Sequence, residues 1–244
     1  MHQETDLSSS GFGIPWGHTR VYGNTLSQST GGISGNSWLV PDWQYLVRIG
    51  TGRIGVVRGV NNTMWFDKVG SDWVGEFAIH ATLEEDTTNQ VFTLSEPNGT
   101  VYVYHSFQAA ANLRGHLKEV TSAGGATADL TYDSVGRLTK FEQTDGSNSV
   151  EYLYNYTGSG SYGAGLGLLQ DVTLKIDENN VRRAKYRYYG TGSTKGNSND
   201  LEKVTIEEAS GASWTSLATG NRARPMELPM ELNSLSCQPP TRRW

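Results

Sequence analysis

Short apolar runs, separated by breaks that contain glycine, asparagine or proline, recur along the chain from about residue 38. Runs of this kind, rich in β-branched and aromatic residues, predict strands joined by tight turns. The stretch 107–113 (FQAAANL) could form one helical turn, but it is too short for a stable helix. The pattern therefore predicts an all-β fold of stacked antiparallel β-hairpins. The clearest runs are 43–47, 54–57, 64–66, 91–94 and 101–104.

An internal repeat occupies the second half of the chain. Four segments share the order of a small or turn residue, any residue, leucine, two polar residues, valine or phenylalanine, and then threonine or glutamate. Repetition of one short unit indicates stacked copies of a single supersecondary element. We therefore expect the four leucines to occupy equivalent positions. They are Leu117, Leu138, Leu169 and Leu201.

Each copy follows a strand that carries tyrosine. Residues two apart on a strand share a face, so each unit predicts an aromatic ladder, a turn and a second strand. The turn needs a residue that tolerates a positive φ, which predicts this conformation for Gly136. A lone hairpin is marginal in water, so these units require stacked neighbours. The tyrosines are Tyr102 and Tyr104, then Tyr132, then Tyr152 and Tyr154, then Tyr186 and Tyr188.

The clearest copy, residues 132–139, reads YDSVGRLT. It resembles the YD-repeat signature of the RHS family, YDxxGRLT, and residues 11–16 (GFGIPW) are similar to the opening of an RHS core. The resemblance implies part of a β-sheet shell, as in bacterial RHS and Tc-toxin cocoons and the extracellular teneurins. Such shells encapsulate toxins or mediate cell contact. The signature residues are Tyr132, Asp133, Gly136, Arg137 and Leu138.

The same resemblance implies a non-catalytic module at the cell surface or outside the cell, whose partners are other parts of a shell or surface molecules. This chain departs from the family pattern, because His105, Asn155 and Tyr189 follow the tyrosine in the other copies. About four repeats are too few to close a shell, and no autoproteolysis motif is found. We divide the chain into an RHS-core-like segment (1–99), the repeat hairpins (100–208) and a variable, poorly ordered tail (209–244).

Charge and composition exclude several functions. A net charge of -5 argues against nucleic acid or an anionic membrane as partner, since both need a basic surface. No run of about 18 apolar residues predicts a membrane span, and residues 1–11 lack the apolar region of a signal peptide. Cys237 is the only cysteine, so an intramolecular disulfide cannot form.

The candidate chemistry along the chain favours structural interpretations. Residues 158–163 (GSGSYG) match G-x-G-x-x-G, but a strand follows where a dinucleotide site needs a helix, so we interpret them as a hairpin loop and expect no cofactor. The acidic run 84–86 is interpreted as solvated. Residues 177–180 and 197–200 carry oxygen ligands but lack the spacing of an EF-hand calcium loop. None of the five histidines has metal-ligand spacing.

One alternative to the shell wall follows from the surfaces that such a fold could expose. A carbohydrate-binding or glycan-processing β-module would use aromatic strand faces, with Tyr152, Tyr154, Tyr186 and Tyr188 as glycan contacts. The solvent exposure of these rings distinguishes such a module from a shell wall.

Four hairpins in line also leave a strand exposed at each end. We therefore expect the chain to be incomplete as a soluble unit and to self-associate through both sheet edges.

Overall fold

The computed structural model describes residues 2–23, 34–59, 62–157 and 167–221. Within these ranges the chain contains no helix and is about 59% strand, which confirms the prediction of an all-β fold with stacked antiparallel strands. Residues 107–113 form successive turns. Over the described ranges there is no helix of the length and apolarity that crossing a bilayer requires.

One large sheet contains fifteen strands in sequential order, each antiparallel to its neighbours. Because every connection joins adjacent strands, the sheet is a continuous series of hairpins, as the repeat predicts. Its strands are β4 (Tyr45–Ile49), β5 (Arg53–Val57), β6 (Thr63–Val69), β7 (Asp72–Gly75), β8 (Thr82–Asp86), β9 (Val91–Ser95), β10 (Val101–His105), β11 (Leu117–Thr121), β12 (Thr127–Tyr132), β13 (Leu138–Asp145), β14 (Asn148–Tyr156), β15 (Leu169–Ile176), β16 (Asn179–Tyr188), β17 (Leu201–Ser210) and β18 (Ser213–Asn221).

Two-residue loops close the hairpins β13–β14 and β15–β16 at one end of the repeat region. Asp177 and Glu178 both have positive φ, 49° and 63°, between the paired residues Ile176 and Asn179. Two positive φ values in a two-residue loop define the type I′ turn that suits twisted hairpins. The Asp177 side chain also accepts a hydrogen bond from the backbone N–H of Ser149 at 2.9 Å. The oxygen-rich segment 177–180 therefore builds a turn.

A second sheet of three strands covers part of the large one. The indole of Trp16 stacks on Phe141 with ring centroids 4.1 Å apart, and its Nε1–H donates to the Tyr154 hydroxyl at 3.0 Å. Such burial of large rings between two layers stabilises both layers. The strands of the small sheet, in spatial order, are β1 (His2–Ser9), β2 (Trp16–Tyr22) and β3 (Trp38–Leu39).

The sheet runs through both boundaries of the predicted division into segments. Residues 99 and 100 lie in the turn between β9 and β10, which pair with each other, so no break separates the first segment from the repeats. The boundary at residue 208 falls inside β17, and residues 213–221 form β18. Over residues 209–221, where the sequence predicts a poorly ordered tail, β17 and β18 form a regular hairpin. Residues 222–244 lie outside the described ranges.

Candidate functional site

Four turns of the repeat region share one backbone geometry at their closing ends. In the second turn, the N–H of Asp133 donates to the carbonyl of Arg137 at 2.9 Å, and the N–H of Gly136 donates to the carbonyl of Asp133 at 3.1 Å. The same two bonds recur in the other three turns. In every copy, the residue that donates the second of these two bonds has a positive φ, which confirms the prediction for Gly136. These residues are Gly115 (76°), Gly136 (90°), Gly167 (94°) and Asn199 (72°).

The repeat leucines are equivalent, as predicted. Each is the first residue of its strand, each is buried, and each pairs across the ladder with a tyrosine that is the last or next-to-last residue of the preceding strand. A register shift lies next to the tyrosine in each pair, so a β-bulge turns the tyrosine side chain at this point. The pairs are Tyr104 with Leu117, Tyr132 with Leu138, Tyr156 with Leu169, and Tyr188 with Leu201.

The third pair corrects the sequence alignment of the repeat. Tyr156, and not Tyr154, is equivalent to Tyr132, so Thr157 rather than Asn155 occupies the position of Asp133. This strand carries tyrosine at 152, 154 and 156, so the sequence offers more than one candidate, and only the pairing with β15 shows which of them meets the repeat leucine.

These tyrosines join successive repeats. The hydroxyl of Tyr132 donates to the carbonyl of Leu117 at 2.6 Å, that of Tyr156 to Leu138 at 2.6 Å, and that of Tyr188 to Leu169 at 2.8 Å. Each tyrosine therefore bonds to the leucine of the preceding repeat, and we call these three contacts the inter-repeat bonds. Burial raises the pKa of all three phenols, which keeps them protonated as donors.

The first copy has a different acceptor. The hydroxyl of Tyr104 donates to Oε1 of Gln44 at 3.1 Å, in the segment that precedes β4. The first repeat is thereby joined to the N-terminal part of the same sheet.

The signature residues hold the second turn together. Both carboxylate oxygens of Asp133 are used, since Oδ1 accepts the N–H groups of Val135 and Arg137 and Oδ2 accepts the Arg137 Nε–H at 2.7 Å. Burial alone would raise the pKa of Asp133, but these hydrogen bonds and the Arg137 charge lower it overall. The Arg137 guanidinium lies 4.6 Å from the ring centre of Tyr156. Arg137 thus contacts the next repeat as well as its own turn.

Adjacent turns pack on each other. A Cβ atom placed on Gly136 would lie 2.5 Å from the carbonyl oxygen of Asn112, and the Asn112 amide donates to the carbonyl of Asp133 at 3.0 Å. A Cβ atom on Gly115 would likewise lie 2.6 Å from the carbonyl of Leu46. Glycine is therefore required both for its backbone conformation and for this close approach.

The four tyrosines predicted as glycan contacts are core residues. Tyr152, Tyr154, Tyr186 and Tyr188 are at most 3% exposed. Their hydroxyls also bond within the protein; that of Tyr152, for example, donates to the carbonyl of Trp16 at 2.9 Å. A sugar ring needs an open aromatic face, so this burial argues against glycan contact at these positions.

A buried polar cluster, which the sequence analysis missed, fastens the small sheet to the large one. Arg20 forms a bidentate ion pair with Asp6, with 1% and 5% of their side chains exposed. The Tyr186 hydroxyl donates to Asp6 at 2.7 Å, and the Arg20 guanidinium lies 4.5 Å from the ring centre of Trp38. The sequence contained one indication of this cluster, because a strand over residues 16–22 places Trp16, His18 and Arg20 on one face.

His18 lies beside this cluster and is fully buried. Its ring is 5.6 to 6.0 Å from the rings of Trp43, Tyr154 and Tyr186, and neither ring nitrogen has a hydrogen-bond partner among the described residues. Burial lowers the pKa of His18 to about 3, while the charge of Asp6 opposes this shift. The imidazole is therefore neutral at ordinary pH.

The other candidate motifs have structural roles where they are described. Glu85 pairs with Lys68 at 3.0 Å, and Asp86 accepts the backbone N–H groups of Thr88 and Asn89. Residues 158–163 lie outside the described ranges. Within the described ranges, no group of three or more potential ligands is placed to hold a metal ion.

Cavities adjoin the repeat turns. A polar cavity of about 490 Å³ lies between the loops 36–38 and 193–201, where the Asn36 amide donates to Asp200 at 3.0 Å. Lys195 and Asn197 also line it, with Tyr22 and Trp38. A mostly apolar cavity of about 270 Å³ lies between Trp43 and the second turn.

In comparisons of the whole chain with protein-family models and with curated proteins, nothing matched.

Proposed function

We propose that this chain is a non-catalytic structural and interaction module of an RHS-type repeat protein, forming part of a β-sheet wall used for encapsulation or contact at a cell surface. The observation that carries the proposal is the set of inter-repeat bonds. Tyr132, Tyr156 and Tyr188 each donate to the leucine of the preceding repeat, so the two inner repeats contribute both a donor and an acceptor to the stack. Stacked units of this kind form extended walls, because each repeat covers the one before it.

The roles of the signature residues support the same proposal. Asp133 and Arg137 bond to each other and to the backbone of their own turn, and Gly136 allows that turn to pack on the preceding one. The aromatic rings of the repeat strands fill the space between the two sheets. The residues that carry the resemblance to the RHS family thus stabilise the wall.

Carbohydrate binding is a second candidate, and the polar cavity beside Asp200 favours it. Its volume of about 490 Å³ and its polar lining suit a small sugar, with Lys195 and Asn197 as hydrogen-bonding groups. This site is separate from the four buried tyrosines.

Glycan-array screening of the purified chain, followed by calorimetric titration of any sugar that binds, distinguishes the two proposals. For a wall module we expect no sugar affinity stronger than about 1 mM. Hydrogen exchange should also show the amides of Leu117, Leu138, Leu169 and Leu201 opening as one cooperative unit. Tighter binding that is lost in Lys195→Ala, retained in the exposed control Lys118→Ala, and accompanied by unchanged unfolding would replace the wall by a sugar-binding module. Independent opening of the four repeats would contradict a continuous wall.

A further inference from the structure

The two edges of the large sheet differ in how much of their backbone is already paired. At the β4 edge, Tyr45 forms an antiparallel bridge with His116, and the N–H of Leu46 donates to the carbonyl of Gly115 at 2.7 Å. The first repeat turn therefore covers the start of this edge strand. A charged residue, Arg48, follows and donates to the carbonyl of Gly50. Short, partly covered edges with charged residues resist pairing with other chains.

The β18 edge lacks these protections. This strand is nine residues long, and its sequence, SWTSLATGN, contains neither a charged residue nor a proline. Among the described residues, β17 is the only strand that pairs with it. Ser213, Thr215, Ser216 and Leu217 are exposed, and the side chain of Leu217 is 51% exposed.

The register of the last hairpin shows which backbone groups face outward. Ser210 pairs with Ser213 across the two-residue loop that begins at Gly211, whose φ is 60°. The closing pair of such a loop is hydrogen-bonded, and hydrogen-bonded pairs alternate with non-hydrogen-bonded pairs along an antiparallel ladder. Trp214 and Ser216 therefore direct their N–H and C=O groups away from β17.

We propose that β18 of one chain pairs antiparallel with β18 of a second copy, forming a closed dimer about a two-fold axis. An uncharged strand can lie opposite itself without like-charge repulsion, and antiparallel pairing presents identical donors and acceptors to each other. The covered β4 edge stops further growth of the large sheet, because the large sheet of each copy then offers one open edge rather than two. A two-fold interface of this kind closes, whereas pairing at both edges would produce a filament.

From the sequence, both edges of the sheet were expected to be open and to cause self-association. The structure leaves only the β18 edge open, so we now expect a dimer. The dimer does not rest on the proposed function, since sugar binding or a wall role would leave the β18 edge as it is. Pairing of one strand buries less area than a standard protein interface, so we expect dissociation constants on the order of 10 µM.

Analytical ultracentrifugation of the full chain between about 1 and 300 µM tests the proposal, because this range brackets the expected constant. The expected result is a monomer–dimer equilibrium without larger species. Over the same range, hydrogen exchange at the amides of Trp214 and Ser216 should slow as the dimer forms. Leu217→Lys, which places like charges close together across the two-fold axis, should weaken dimerisation at least tenfold, and Thr215→Lys provides a second variant at the same edge.

Ile49→Lys is the matched control, because Ile49 is 56% exposed at the end of β4. It should leave the dimer unchanged, and thermal unfolding checks that each variant is folded. A monomer at all concentrations overturns the proposal, and protected Trp214 and Ser216 amides in that monomer would show that the chain covers its own edge. Species larger than a dimer that Ile49→Lys abolishes would also overturn it, since the β4 edge would then be open.

Discussion

The repeat turns and the small sheet are fastened to the large sheet in different ways. In the repeats, tyrosine hydroxyls donate to backbone carbonyls, which every residue supplies, so the contact recurs wherever the strand ends in the same way. The small sheet is joined to the large one instead by side chains that do not recur. The Tyr186 hydroxyl donates to Asp6, whose carboxylate is paired with Arg20 within the small sheet, and Trp16 packs on Phe141 and bonds to Tyr154. Backbone acceptors allow repetition, whereas a contact between particular side chains specifies one position. The repeats can therefore tolerate the loss of one contact better than the small sheet can.

The largest expected effect is at the buried ion pair. Arg20→Met leaves the Asp6 carboxylate buried without its cationic partner, which should lower the free energy of unfolding by about 3 to 5 kcal/mol. Urea unfolding followed by tryptophan fluorescence measures the loss. The double variant with Asp6→Leu should recover part of it, because no unpaired charge remains. Additive losses in the double variant would show that the two residues do not act as a pair.

Gly136→Ala should cost about 2 to 3 kcal/mol, since alanine combines an unfavourable backbone conformation with a clash. Gly136 has a φ of 90°, and its Cβ position is 2.5 Å from the Asn112 carbonyl. Gly125 is the matched control because its φ of 86° is similar and no atom lies within 4 Å of its Cβ position. Gly125→Ala should cost about 1 kcal/mol. Equal losses in chemical denaturation would show that packing between turns contributes nothing.

Stability should fall as the pH decreases below about 6.5, because His18 is buried in its neutral form. Its folded pKa of about 3 lies below the unfolded value of 6.5, so between these values the unfolded chain binds a proton that the folded chain does not. The stabilisation is complete above pH 6.5, and about 2 kcal/mol of it is lost by pH 5. Urea unfolding across this range should show a smaller slope for His18→Phe than for the wild type. Identical slopes would mean that His18 is protonated in the folded protein.

The smallest expected effect is the loss of one inter-repeat bond. Tyr156→Phe removes the donor to the Leu138 carbonyl and should cost about 1 to 1.5 kcal/mol. Tyr45, which is 45% exposed, provides the control, and Tyr45→Phe should change the free energy of unfolding by less than about 0.5 kcal/mol. A loss at Tyr156 no greater than at Tyr45 would remove the principal support for the wall proposal. Thermal unfolding of the two variants, followed under the same conditions, measures both losses of stability.

The sequence by itself determined the local elements of the repeat region. Leucine, glycine and tyrosine recur at positions that local chemistry dictates, so the all-β class, the equivalent leucines and the positive φ of Gly136 were all predictable. Turns and strand alternation depend on neighbouring residues, and those residues are visible in the pattern.

Only the tertiary structure decided which side chains those elements bring together. One strand carries tyrosine at 152, 154 and 156, and its pairing with β15 and the packing of Trp16 decide that Tyr154 lies in the core and Tyr156 makes the inter-repeat bond. The contact between Trp16 and Tyr154, and that between Asp6 and Tyr186, join residues far apart in the chain. Hydrophobic periodicity shows which face of a strand is buried but not which partner covers it. The partner is decided by how the sheets pack, and for that reason tyrosines that could have formed a sugar platform are instead the core between the two sheets.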